Sequence, residues 1–290
     1  MGLPPGTTGS TMPRRRLGRQ LRDLRNRAGM TTRVAAQRLE WSEAKIWRIE
    51  TGQTSLRGLD VEAMCMVYGA PAEVVAPLRA LARDTKARGW WTAYNEAIGD
   101  GFDVYLGLEE AATRLAGYED QLIPGLLQTE SYTRALLRAA RPQLTQIEIE
   151  RRVRLRMARQ ALLTREPSAP CLDVVIDEAA LRRRIGDATV VAGQLDRLLR
   201  ADQLPNVRIR LLPSNTGYHP GSETGRFVLL EFAAAAAGQA PEPSVVYVEA
   251  FTGPQYLDKA TDTTRYQQAF DDFDAVTVGI AEGVDRVRKG

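Results

Sequence analysis

The stretch SEAKIWRIETG, Ser42 to Gly52, carries a hydroxyl, a carboxylate, an ammonium, an indole and a guanidinium in close succession. A helical repeat turns Ile46 and Ile49 inward and leaves Ser42, Glu43, Lys45, Trp47 and Arg48 facing out. Ser42 is a good helix N-cap and Gly52 a good helix stop. Such an outward set can donate to and accept from nucleobase edges, the chemistry of a helix laid in the major groove. Glu43 has the opposite sign from its surroundings. Its carboxylate either accepts from cytosine N4, turns towards Lys45 or Arg48, or acts as a brake on non-specific attachment to phosphate.

Phosphate chemistry is available on both sides of this segment. Thr31, Thr32 and Arg33 open the preceding helix, where hydroxyls and unpaired amides can bind an anion. Gln53 and Thr54 follow the reading segment, and Arg14, Arg15, Arg16 and Arg19 add cations upstream.

Two later stretches also carry candidate groups. In IPGLLQTESYTRA, Ile123 to Ala135, Pro124–Gly125 predicts a turn and Thr129 an N-cap with Glu130 at the positive helix end. This block is either a stable turn with an apolar staple or a partner or effector surface containing Gln128 and Tyr132. In NTGYHPGSETG lies the one histidine, His219, beside Tyr218, Ser214, Ser222 and Glu223. It is a polar strand connection, a partner or ligand loop with Tyr218 and His219 as contacts, or a hydrolytic site. One histidine supplies no metal cluster, and no phosphate-binding glycine motif occurs. No cofactor, metal or catalytic residue is expected, and an enzyme is not the leading reading.

The elements that must position these groups differ along the chain. Residues 1–13 read as a flexible tail. Residues 14–88 read as five short helices, with Leu17, Leu21 and Leu24 on the first and only Glu40 and Trp41 between the second and third. Past Arg88, GWWTAYNEAIGDGF reads as a packed linker, and LGLEEAATRLAGYED, TESYTRALLRAA and TQIEIERRVRLRMARQALLTR as helices. In the last, Glu148–Arg152 and Glu150–Arg154 have i,i+4 spacing, and Ile149, Val153 and Met157 form an inward stripe. Arg182–Arg184 read as a solvated or dimer-facing surface that could also bind an acidic partner. CLDVVID, NVRIRLLP, GRFVLLEF and SVVYVEAF read as strands, and helical pattern returns at TRYQQAFDDFDAVTVGI. The expected fold class is multi-domain: an all-α helix-turn-helix domain at 14–88, then a mixed α/β domain at 89–290.

Charge follows the same division. Residues 1–88 hold 16 Lys and Arg against 8 Asp and Glu, whereas residues 89–290 hold 23 against 28. The net charge of +3 therefore conceals a basic first third, which implies a polyanion partner for that part alone. Two cysteines, Cys65 and Cys171, offer no disulfide framework, and no apolar run approaches the roughly 20 residues of a membrane span. The start lacks a signal-peptide core, and a cytoplasmic, nucleoid-associated protein is expected.

TTRVAAQRLEWSEAKIWRIETGQTSL resembles the Xre (lambda-repressor-like) helix-turn-helix family, keeping Ser42, Ile46, Ile49, Glu50 and Gly52 in the family's order. Glu43 stands where that family often has a base-reading Gln, and Trp41 replaces its usual turn step. GWW, LEEAATRLAGYEDQLIPGLLQTESYTRAL, RMARQALL, DEAALRRRIG, QLDRLL, LPNVRIRLLP and RFVLLEF…VVYVEA resemble the DUF5753 domain of WhiJ-like actinomycete regulators. That resemblance implies a regulatory domain, often paired with a small DUF397-type protein. The expectation is a sequence-specific regulator of double-stranded DNA, acting as a homodimer under partner or effector control. An antitoxin-like protein that sequesters a small partner and autoregulates is the alternative.

Overall fold

The computed structural model describes residues 11–99, 101–234 and 241–289, and the chain divides into two compact units. The first contains the described residues up to Ala93 together with Gly101–Ala111; the second contains Tyr94–Gly99 and the described residues from Ala112 onwards. Residues 1–10 of the predicted tail lie outside the described residues, whereas Thr11–Pro13 open the first helix.

The first unit is built from α1 (Thr11–Arg27), α2 (Thr32–Leu39), α3 (Glu43–Glu50), α4 (Gly58–Tyr68) and α5 (Ala72–Asp84), the five helices expected. To these are added a short 3-10 segment, Trp90–Ala97, whose start belongs here, and α6 (Phe102–Ala111), which packs on α1. Leu17, Leu21 and Leu24 line up at helical spacing and meet Ala35, Ala36, Ile46, Ile49, Val61, Met64 and Leu78 in one core. Leu39 of α2 packs half-buried against it.

The second unit is a mixed sheet with helical crossovers. Its strands are β1 (Arg114–Glu119), β2 (Cys171–Asp177), β3 (Val207–Leu212), β4 (Phe227–Glu231), β5 (Val245–Ala250), β6 (Gly253–Leu257) and β7 (Val278–Gly279), in the order β6-β5-β4-β1-β2-β3-β7. β1, β2 and β3 are parallel, in register Leu115↔Leu172 and Leu172↔Val207; the other pairings are antiparallel. Parallel neighbours need crossovers. α7 (Glu130–Ala140) and α8 (Gln146–Gln160) connect β1 to β2, and α9 (Glu178–Arg182) and α10 (Ala188–Ala201) connect β2 to β3. α11 (Gly221–Thr224) precedes β4, α12 (Ala260–Asp272) follows β6, and α13 (Ile280–Lys289) ends the described chain.

Sheet and sequence expectation part company at the centre. LGLEEAATRLAGYED does not form one helix: α6 stops at Ala111, and Arg114–Glu119 is the middle strand of the sheet. Gly117 is fitted to that place, because a β-carbon there would lie 2.6 Å from the Phe227 carbonyl oxygen. The i,i+4 pairs expected on α8 are also replaced. Glu148 instead closes a capping box with Thr145, and Glu150 receives Arg134 of α7 at 2.6 Å. Ile149 and Val153 face Leu137 as expected, with Met157 against them.

Candidate nucleic-acid interface

α3 is presented by a turn closed by backbone hydrogen bonds. α2 ends with Glu40 in the left-handed region (φ 56°), its N–H on the Gln37 carbonyl at 3.2 Å. The Trp41 N–H reaches the Ala36 carbonyl at 2.9 Å, completing a Schellman motif. Ser42 then caps α3, its Oγ accepting the Lys45 N–H at 3.2 Å, as Thr31 accepts the Val34 N–H on α2. At the far end Gly52 (φ 74°) closes a second Schellman motif, Gly52 N–H to Ile49 and Gln53 N–H to Arg48.

The inward side of α3 is clamped to α1. A β-carbon on Gly18 would lie 2.2 Å from the Ile49 carbonyl oxygen, and one on Gly52 would lie 2.8 Å from the Arg15 backbone, so neither position admits a side chain. Beside this crossing Arg25 grips Glu50 through two hydrogen bonds, 2.6 and 2.7 Å, both residues buried. The bond to Glu50 holds the Arg25 guanidinium above its ordinary range, while burial of the neighbouring Tyr68 drives its phenol upwards. Breaking such a pair leaves a charge stranded in the core. Glu50 is therefore part of the brace behind the helix. That role was not read from the sequence, because its partner lies 25 positions upstream.

With one side fixed, the other is displayed. Ser42, Glu43, Trp47 and Arg48 are exposed, Trp47 at 55% for so large an apolar ring. Lys45 is half-buried, its ammonium 3.3 Å from the centroid of the Trp41 ring. Thr31 and Arg33 are exposed at the start of α2; Thr32, Gln53 and Thr54 are half-buried. The upstream arginines do not behave as a free cluster, which corrects the expectation for two of them. Arg14 is half-buried and donates from Nε to the Thr85 carbonyl at 2.9 Å, with burial lowering its pKa. Arg15 is buried where α1 meets Gly52, and Arg16 and Arg19 are half-buried. Their helix is needed inside the unit, so α1 turns part of its basic face into the fold.

The candidate contacts of the second unit are corrected more sharply. Gln128 and Tyr132, a candidate partner surface, are buried. Gln128 Nε2 donates to the Ile123 carbonyl at 2.7 Å, and its Oε1 accepts from Thr133 Oγ1 and Arg156 Nη1 at 3.0 and 2.8 Å. Gln194 and Gln160 add bonds to the Leu127 and Gln128 carbonyls. The most specific motif of this unit is thus a folded-in turn. Its glutamine supplies the partners that a loop at this depth needs.

Tyr218, by contrast, is exposed and donates to Glu223. His219 sets its ring 6.0 Å from Tyr118 and 6.4 Å from Phe273, while Tyr118 donates to Asp177 at 3.0 Å. The loop is anchored from below by Glu178, which takes the Ser214 N–H at 3.0 Å. That bond, with Arg182 beside it, keeps the Glu178 carboxyl below its ordinary range. Sequence reasoning also missed Arg210, buried on β3 between Asp173 (3.0 Å) and Asp274 (2.6 Å) and stacked over Phe270.

Among the described residues no helix is long and apolar enough to cross a membrane. No curated protein and no solved structure matches the chain. Two family models do. Residues 16–78 match a helix-turn-helix domain, and residues 102–289 match a domain of unknown function, DUF5753. This is the pairing that the sequence resemblance implied. The second match spans well over half of the chain, which therefore belongs to the DUF5753 family and carries, ahead of that domain, the helix-turn-helix module of DNA-binding regulators.

Proposed function

We propose that the chain is a sequence-specific transcriptional regulator that lays α3 in the major groove of double-stranded DNA. The observation that carries this reading is the two-sidedness of α3. Its inner side is braced by Gly18, Gly52 and the Arg25–Glu50 pair, and its outer side presents Glu43, Trp47 and Arg48 to solvent. A groove-reading helix needs that combination, since base contacts discriminate only when the side chains are held in register. Arg48 supplies the fork that pairs with guanine O6 and N7. Trp47 meets the apolar edge of the groove. Glu43 restrains attachment to phosphate away from the site. Thr31, Thr32, Arg33, Gln53 and Thr54 position the unit on the backbone, together with Arg16 and Arg19.

One module of this size offers few base contacts, so the working form is a homodimer on half-sites about one helical turn apart. The DUF5753 domain governs that activity in the cytoplasm through a small DUF397-type protein or an effector. It does so without catalysis: His219 packs its ring near Tyr118 and Phe273, which supports a structural part for that loop. The test is selection of bound duplexes from a random pool, with and without the co-expressed small partner. A two-fold repeated motif whose enrichment changes with the partner is expected. Enrichment of no motif would refute the reading.

A further inference from the structure

The turn between α2 and α3 holds an indole in a position fixed from behind. The Trp41 N–H is bonded to Ala36, and its ring rests partly buried against the first unit's core. The ring also meets Lys45, whose ammonium lies 3.3 Å from its centroid. Lys45 is thereby held at both ends: its backbone N–H on Ser42 Oγ at 3.2 Å, its charge on the negative face of the indole. The neighbouring Glu43, Trp47 and Arg48 are exposed, whereas Lys45 is half-buried. A lysine is a compact charge on a flexible stem, and an unrestrained one loses much rotamer freedom on meeting a defined acceptor. On this helix that loss is already taken in the unbound protein.

We infer that Trp41 is a positioning residue. It presets Lys45 as a fixed cation on the N-terminal half of the reading face, and it acts on site discrimination through Lys45. The inference rests on the reading of α3 as the groove helix and deepens it. It separates two cations on one helix: Arg48 is free to adapt, while Lys45 offers its charge at one place.

Two readouts on the full chain test it. In the protein without DNA, the indole ring current should shift the Lys45 side-chain methylene resonances upfield. Trp41→Phe should keep much of that shift and Trp41→Leu should abolish it. In competition between the selected duplex and a scrambled one, Trp41→Leu should reduce discrimination about 2–5-fold, the range of an exposed cation–π contact. Trp41→Phe should stay close to the unsubstituted chain, and Trp41→Leu should cause no further loss in a Lys45→Met background. Lys45 resonances unmoved by Trp41→Leu would overturn the proposal. So would a Trp41→Leu loss that persists undiminished with Lys45→Met, since the indole would then act by itself. Should Trp41→Leu fail to fold, Lys45→Met alone decides: discrimination equal to the unsubstituted chain refutes the inference. A chain that discriminates no duplex at all would instead overturn the regulator reading, and the resonances would still report whether Trp41 holds Lys45.

Discussion

In α3 and α7 alike a hydroxyl closes the first helical turn: Ser42 Oγ takes the Lys45 N–H at 3.2 Å, and Thr129 Oγ1 takes the Tyr132 N–H at 3.1 Å. Both caps follow a short turn, and both helices pack one apolar side inward. They differ in where the polar groups of the cap region go. Around α3, Ser42, Glu43 and Arg48 are turned to solvent. Around α7, Gln128 and Thr133 are buried and bonded to one another and to Ile123. The same local grammar thus makes a display surface in one unit and an internal joint in the other. Burial and hydrogen-bond accounting distinguish the two; the motif does not.

The comparison can be broken from either side. The largest effect should come from the brace behind the display surface. Glu50→Ala strands Arg25 in the core and should destabilise the first unit by about 3–5 kcal/mol in denaturant titration. A loss under about 1 kcal/mol, the range of an exposed pair, would mean that the pair does not tie α1 to α3. Next comes the internal joint. Gln128→Ala leaves the Ile123 carbonyl and the Thr133 hydroxyl without their partner, at about 1–3 kcal/mol for each group left unsatisfied. Unfolding of the second unit should shift accordingly while site preference on DNA stays unchanged; an unmoved transition would return Gln128 to the candidate contacts. On the display surface itself, Arg48→Ala should cost about 1–3 kcal/mol of specific binding and almost no stability. Equal affinities in a gel-shift titration would remove Arg48 from the reading set.

Outside that order stands a pH effect, carried by a half-buried acid in the second unit. Burial pushes the Glu119 carboxyl up to about 8, with Arg226 opposing and Asp120 and Glu249 reinforcing the rise. A carboxyl whose folded pKa lies above its unfolded value favours the folded state at low pH. That advantage is lost as pH rises from the ordinary glutamate value of about 4.3 towards 8. Compared with Glu119→Gln, the unsubstituted chain should lose melting temperature across that window and match it below. Parallel melting curves at every pH would show a carboxyl solvated in the folded state.

How much of this was legible in the sequence follows from the range of each interaction. The caps at Ser42, Thr31 and Thr129, the glycine stop at Gly52 and the inward Ile46 and Ile49 are local, and each was read correctly. β1 was not, because Leu115, Ala116 and Tyr118 are all buried in a central strand, and a continuous apolar run carries no period of two. Gly117 and the β-branched Thr113 were the available signals against a helix there. Long-range pairings were the least legible. Arg25 with Glu50 and Arg210 with Asp173 join residues that only the tertiary fold brings together. The outward face of α3 was read from periodicity, whereas the loss of Arg14 and Arg15 to the interior was not, since both reflect contacts of α1 with distant chain.

The central claim is that the outward side of α3 specifies the site. It is tested most directly by selecting bound duplexes from a random pool with the full chain and with Arg48→Ala in parallel. The account predicts one enriched motif for the unsubstituted chain and relaxed preference at a guanine position for Arg48→Ala, with the other positions retained. An identical motif from both proteins would contradict it.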